Sequence, residues 1–362
     1  MSTIPAVTNR SERTFFGHPA GLSTLFFTEF WERFSYYGMR ALLVLYLVAP
    51  PDGTTPPGPG LGLDTSTASA IYGTYVALVY LFPLLGGWIA DRLWGFRRAV
   101  LVGGIVIAGG HYCMAMPTEI TFWIGLLLIA LGTGLLKPNI SAMVGELYHD
   151  DDAKRDAGFS VFYMGINLGA FVAPLVTGYL MDAHGWHWAF GAAALGMTFG
   201  VIQYVLGGRK TLHGIGLNVP NPASAKEKRA FFLIVFGSVG AIVAVSLIRA
   251  AIWGFDITDL VDILAVFILI VPVVYFVKMF RTQGLSGEQK GRLHAFLGLF
   301  LGAAIFWMIY DQAGSTLSVF AEEKTDLTVG SFMIPVPWLQ SINPIFIIIF
   351  APIFAAIWSR LG

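Results

Sequence analysis

Stretches of twenty or more apolar residues recur along this chain, separated by short polar connections. A soluble core does not need such runs, whereas about 20 apolar residues in a helix cross the roughly 30 Å of a bilayer's hydrocarbon. Segments of that length can be marked at 22–48, 68–91, 98–117, 120–147, 157–182, 186–207, 229–251, 259–280, 294–321 and 338–358. Each must be helical, because a lone strand in hydrocarbon leaves its backbone polar groups unpaired. The pattern predicts an all-α polytopic membrane protein.

The connections divide the chain. A polar segment, 1–21, precedes a six-helix block over 22–207, and a basic linker at 208–228 closes that block. Residues 229–281 hold a helix pair with few polar positions, expected to face lipid, with Arg249, Asp256, Asp259 and Asp262 clustered at its turn. Residues 282–362 carry two more spans. Six spans, a basic linker and further spans is the layout of a two-bundle transporter.

Composition agrees: 56% of residues are hydrophobic, 12% are charged and ten are Trp. The 22 basic and 22 acidic residues cancel, which gives no sign of a nucleic-acid partner. Their placement says more. Arg10, Arg13, Arg92, Arg97, Arg98, Lys154, Arg155, Arg209, Lys210, Lys226, Lys228, Arg229, Lys278, Arg281, Lys290 and Arg292 fall on one side, and Arg249 and Lys324 on the other. The positive-inside rule then puts the N-terminus of this multi-pass protein in the cytoplasm. Residues 1–21 lack an apolar core with a cleavage site, so no signal peptide is expected.

Several chemistries are set aside. The single Cys113 forms no intrachain disulfide and no cysteine cluster, and His111, about 200° away around a helix, cannot share an ion with it. HDDDAKRD reads as a mixed-charge turn rather than a cation site, so no metal and no cofactor are expected. HExxH, GxSxG and paired intramembrane aspartates are absent, which argues against an enzyme.

The first span breaks the apolar rule with EFWERFSYYG. At about 100° per residue, Glu29, Arg33, Tyr36 and Arg40 share one stripe, with Glu32 at its edge and Tyr37 less well placed. A charge at the bilayer centre costs roughly 2.5–3.5 kcal/mol, and pairing of Glu29 with Arg33 along the helix returns only tenths of that. The stripe is therefore expected to face a polar cavity inside a bundle.

Depth supplies its partners. At about 1.5 Å per residue, Arg33, Lys137, Asn167 and Tyr80 reach one level near the midplane, on four different spans. Gly132, Gly134 and Pro138 around Lys137 are expected to loosen its helix, as at transport sites built from broken helices. Nearer the other surface, Arg40 and Asp311 match in depth and predict an ion pair between the two bundles, a gate that protonation of the acid would open.

These residues carry a resemblance. TEFWERFSYYG is similar to the ExxERFxYYG motif of the proton-dependent oligopeptide transporters, a branch of the major facilitator superfamily, and FYMGINLGAF resembles the family's second signature. GGWIADRLWGFRR, FWMIYDQAGSTLSVF and LQSINPIFIIIFAPIF resemble the loop after its second helix and its seventh and eighth helices. The resemblance implies a major facilitator fold: a six-helix N-terminal bundle, a two-helix insertion as in bacterial members, and the first two helices of a C-terminal bundle. Mammalian members have a histidine where Gly73 stands. The family's amine-binding glutamate lies on its tenth helix, so the sequence is expected to represent the layout without its last four helices.

By this resemblance the protein carries di- and tripeptides with protons, as a monomer driven by the proton gradient. Arg33 and Lys137 would hold the peptide carboxylate, helped by Tyr36, Tyr37 and Tyr80; Asn167 and Asn343 would bind the backbone or amine; Trp307 would wall a side-chain pocket. Glu29 and Glu32 would couple protons through Arg33 and Lys137, while Asp311 with Arg40 would form the gate. The alternatives are a major facilitator carrier of nitrate, sugar or drug, and a non-transporting membrane sensor.

Overall fold

A computed structural model describes residues 14–53, 57–148, 152–254 and 256–361. Arg10, Arg13 and the first part of the HDDDAKRD turn lie outside the described residues.

A short hairpin, β1 (Thr14–Phe15) and β2 (His18–Pro19), leads into α1 (Gly21–Val48). Then come α2 (Thr65–Ile89), prolonged by a π-helical turn over Ala90–Trp94, α3 (Phe96–Met114), α4 (Glu119–Glu146), α5 (Asp152–His184) and α6 (Trp186–Thr211). The chain continues with α7 (Ala225–Trp253), α8 (Ile257–Phe280), α9 (Gly287–Tyr310), a 3-10 turn over Asp311–Gly314 and α10 (Thr316–Lys324). A second hairpin, β3 (Thr328–Val329) with β4 (Phe332–Met333), a 3-10 turn over Val336–Ser341 and α11 (Ile342–Leu361) complete it.

Among the described residues, eight helical stretches are long and apolar enough to cross a membrane. α1 is not among them because Glu29, Glu32, Arg33 and Arg40 lie within it. Helix starts differ from the apolar edges for a definite reason. α7 and α9 each begin with a capping box, Ser224 with Glu227 and Ser286 with Gln289, and such caps belong to the polar side of a boundary. The run at 294–321 is not one helix, since it breaks at Asp311–Gly314.

α1 is enclosed, packing on α5 and α6, while α4 packs on α3 and α2. One apolar core surrounds Leu43, Leu47 and Phe122; another surrounds Leu22, Ile140 and Leu212 at the basic end of the bundle, where Arg92 and Arg97 lie. The charged part of α1 lies between these cores.

The reading of α4 as a loosened helix is corrected. α4 runs unbroken from Glu119 to Glu146 through Pro138. Its glycines serve close crossings instead. A Cβ at Gly86 would stand 2.1 Å from the Gly134 carbonyl oxygen, and one at Gly103 would stand 2.7 Å from that of Gly132. Backbones in lipid approach this closely only where side chains are absent. Asn139, after the proline that donates no hydrogen bond, spans the crossing by donating to the carbonyls of Gly86 (3.2 Å) and Leu135 (2.7 Å).

α7 and α8 are largely uncovered, Val261 being their one buried residue among those described. They are nevertheless attached on both sides. Phe231 stacks on Trp88 of α2 with ring centroids 3.8 Å apart, and Glu227 pairs with Arg92. Phe276 of α8 meets Phe296 and Phe300 of α9 at 5.7 and 5.0 Å. The inserted pair therefore bridges the first bundle and the start of the second.

Candidate functional site

On α1, Arg33 Nε lies 3.1 Å from a Glu29 oxygen and also pairs with Glu32. Exposure is 2% for Glu29, 0% for Glu32 and 4% for Arg33, so three ionisable groups are withheld from bulk water. Their pairing is close but poorly aligned, since Arg33 Nε and Nη2, Glu29 Oε2 and both Glu32 oxygens have no hydrogen-bond partner. Unused donors on a buried guanidinium have a ready use, because a carboxylate can accept two parallel bonds from them.

A cavity of about 520 Å³ opens beside this cluster. Glu29, Arg33 and Tyr37 of α1, Tyr80 of α2 and Lys137 of α4 line one part of it. Asn167 and Tyr163 of α5, Trp307 and Tyr310 of α9, and Asn343 of α11 line the rest. Lys137 Nζ sits 4.7 Å from the centre of the Tyr80 ring, and that ring meets Trp307 at 6.2 Å across the bundles. Tyr310 donates to the Asn343 side-chain oxygen (3.1 Å), and Asn167 donates to the Tyr163 carbonyl (2.9 Å). One pole is cationic; the walls are aromatic and amide. The volume lies within the usual range for a small-molecule site.

Toward the end opposite the basic one, the cavity is sealed. Arg40 Nη2 pairs with Asp311 Oδ1 at 2.8 Å, joining α1 to the 3-10 turn after α9. Arg40 also donates to the Tyr72 hydroxyl, and its guanidinium lies 5.9 Å from the Tyr37 ring centre. Trp338 Nε1 donates to the Leu175 carbonyl (3.0 Å) and Ser341 to that of Phe171 (2.8 Å), tying the second bundle to α5.

Gly314 makes this seal possible. A Cβ there would stand 2.1 Å from the Tyr72 hydroxyl and 3.0 Å from Arg40 Nε. Gly314→Ala is expected to push Tyr72 off Arg40 and weaken the seal, with overpacking costing about 1–3 kcal/mol. Hydrogen exchange at the Val336–Ser341 turn checks it: exchange rises in the variant, and an unchanged rate would show that the backbone yields instead.

The structure brings together Glu29, Arg33, Tyr37, Arg40, Tyr80, Lys137, Asn167, Trp307 and Asn343 around one cavity, while Glu32, Tyr36 and Asp311 stand off it. Glu32 is behind Arg33, and Asp311 belongs to the seal. The stripe favours Tyr36 over Tyr37, and the placement is the reverse. Tyr36 is 4% exposed and packs in the apolar core with its ring 5.2 Å from the Arg33 guanidinium. Sequence reasoning missed Tyr163, Tyr310, Gln340 and Tyr72. Tyr163 stands one helical turn before Asn167 and Tyr310 one turn after Trp307, a same-face signal present in the sequence.

A cavity at mid-depth between two helical bundles, with cations and buried carboxylates at one pole and an ion pair across its closed end, defines a secondary transporter. The sequence matches the POT family over residues 97–362, and the chain belongs to that family. It is 47% identical over 353 residues to an uncharacterized transporter of Bacillus subtilis (strain 168), covering 97% of this chain and 70% of that protein. It is 43% identical over 360 residues to a di-/tripeptide transporter of Lactococcus lactis subsp. cremoris, covering 98% and 72%. A crystal structure of a POT peptide transporter in complex with sulfate superposes with a TM-score of 0.88 at 45% identity, covering 97% of this chain and 70% of that one.

Proposed function

We propose that this protein carries di- and tripeptides into the cytoplasm together with protons, by alternating access, with its N-terminus and basic end in the cytoplasm of a bacterial inner membrane. It would act as a monomer, with the proton gradient as its only drive. The observation that carries the reading is the convergence of Arg33 and Lys137 on one cavity walled by aromatic rings and amides. Two cations suit a peptide carboxylate, while Asn167, Asn343 and Gln340 suit amide and amine groups. The di-/tripeptide transport stated for the Lactococcus relative points the same way.

Each step follows from charge. A peptide enters when Asp311 is protonated and releases Arg40. Its carboxylate then takes Arg33 from Glu29 and Glu32 and draws in Lys137. A buried carboxylate that loses its cationic partner favours the protonated form, so peptide arrival and proton uptake are linked. With the charges neutralised, the bundles rock, Asp311 gives up its proton to water in the cavity, and Arg40 closes on the restored carboxylate.

Uptake of labelled dialanine by proteoliposomes tests this. With a 100 mV potential, negative inside, one proton supplies about 2.3 kcal/mol before any pH difference is added, enough for roughly fiftyfold accumulation. Di- and tripeptides should compete, and nitrate, sugars and free amino acids should not. Competition by nitrate, or indifference to dipeptides, rejects the assignment.

A further inference from the structure

We propose that the basic end of α8 binds the headgroup of an anionic phospholipid, on a site formed by Lys278 and Arg281 above an apolar strip of Val273, Val274 and Val277. Two rows run along one face of α8 and into the turn that ends it, Val273–Val277–Arg281 and Val274–Lys278–Thr282. Together they line a shallow groove of about 540 Å³. The valines are 62%, 58% and 44% exposed, at the depth of an acyl chain, and the cations stand where that chain's phosphate would lie.

Charge selects the occupant. Among the described residues, the carboxylates at this end of α7 and α9 are taken, Glu227 by Arg92 and Glu288 by Arg292. Lys278 and Arg281 pair with no carboxylate among the described residues. The Thr282 hydroxyl donates to the Lys278 carbonyl, so an anion would rest on the two cations. The C-terminus of α8 contributes about half a negative charge, which two full positive charges outweigh. A zwitterionic headgroup gains little there, because its ammonium meets the same cations.

The position has a consequence. On the neighbouring face of α8, Phe276 and Phe280 meet Phe296, Phe300 and His294 of α9 at 5.0–5.7 Å. A lipid seated on Lys278 and Arg281 borders the contact that joins the inserted pair to the second bundle.

Native mass spectrometry of the detergent-purified protein, titrated with phosphatidylglycerol or phosphatidylcholine of matched chains, tests the site. Phosphatidylglycerol is expected to be retained about thirtyfold better, and K278Q/R281Q to lower its retention to the phosphatidylcholine level. K226Q/K228Q, which removes two exposed cations from the start of α7, should leave retention unchanged. Inorganic phosphate at the same concentration should not displace the lipid. Equal retention of the two lipids overturns the proposal, as does unaltered binding by K278Q/R281Q. An equal loss in K226Q/K228Q would replace the site with a diffuse basic rim, and displacement by phosphate would replace it with a phosphate site.

Discussion

Lys137→Ala is expected to reduce proton-driven accumulation of a dipeptide at 100 mV from roughly fiftyfold to unity, while exchange of labelled for unlabelled peptide continues. Glu29 and Glu32 stand against Arg33, and Lys137 adds the second cation of the cavity. Removing it leaves two carboxylates and one guanidinium in a space nearly closed to water. One carboxylate must then stay protonated whether or not a peptide is bound, because like charges at short range cannot both be ionised in low dielectric. A proton that is always present no longer reports on substrate. The Arg33 guanidinium still meets the peptide carboxylate, so exchange survives. Parallel measurement of accumulation and counterflow in one proteoliposome preparation separates these outcomes, and wild-type accumulation by the variant would remove Lys137 from coupling.

Much of this site is legible because a helix rises by a fixed amount per residue. That regularity alone brings Arg33, Lys137, Asn167 and Tyr80 from four helices to one cavity, and Arg40 to Asp311. Phase around α1 is less informative. Most of α1 is buried on every side, so neighbours rather than the helical wheel decide that Tyr37 lines the cavity and Tyr36 the core. The α4 glycines are ambiguous for a related reason. Glycine permits both a break and a close crossing, and only the presence of Gly86 and Gly103 on the facing helices selects the crossing. The break at Asp311–Gly314 places Gly314 against Tyr72, far away in sequence. A run of apolar residues does not carry that contact.

Asp311→Asn is expected to shift the protein toward a state open at the end opposite the basic one. Arg40 is 6% exposed, and its remaining neighbours, the Tyr72 hydroxyl and the Tyr37 and Tyr72 rings, carry no formal negative charge. Asp311 keeps 22% of its side chain exposed, so leaving Arg40 uncompensated costs about 3 kcal/mol, the low end for buried pairs. The remaining ties named across this seal, Trp338 to Leu175 and Ser341 to Phe171, are neutral hydrogen bonds contributing about 1 kcal/mol each. They do not offset the loss. Arg40 recovers its solvation only when the bundles part, so the closed state should lose about a hundredfold in population relative to the open one. Ser341→Cys, in a Cys113→Ala background, reads this directly, since Ser341 is 4% exposed within the seal. A membrane-impermeant maleimide applied from outside should label the introduced cysteine slowly while Asp311 is present and at least tenfold faster in the Asp311→Asn protein. Asp311→Glu, which keeps the charge, should stay protected. An asparagine has the charge of a protonated aspartate, so the same experiment tests whether a proton on Asp311 opens the gate. Equal protection of the cysteine in the Asp311→Asn protein would mean that the Trp338 hydrogen bond and packing hold the seal without the ion pair, and Arg40 would then lose its place in the transport cycle.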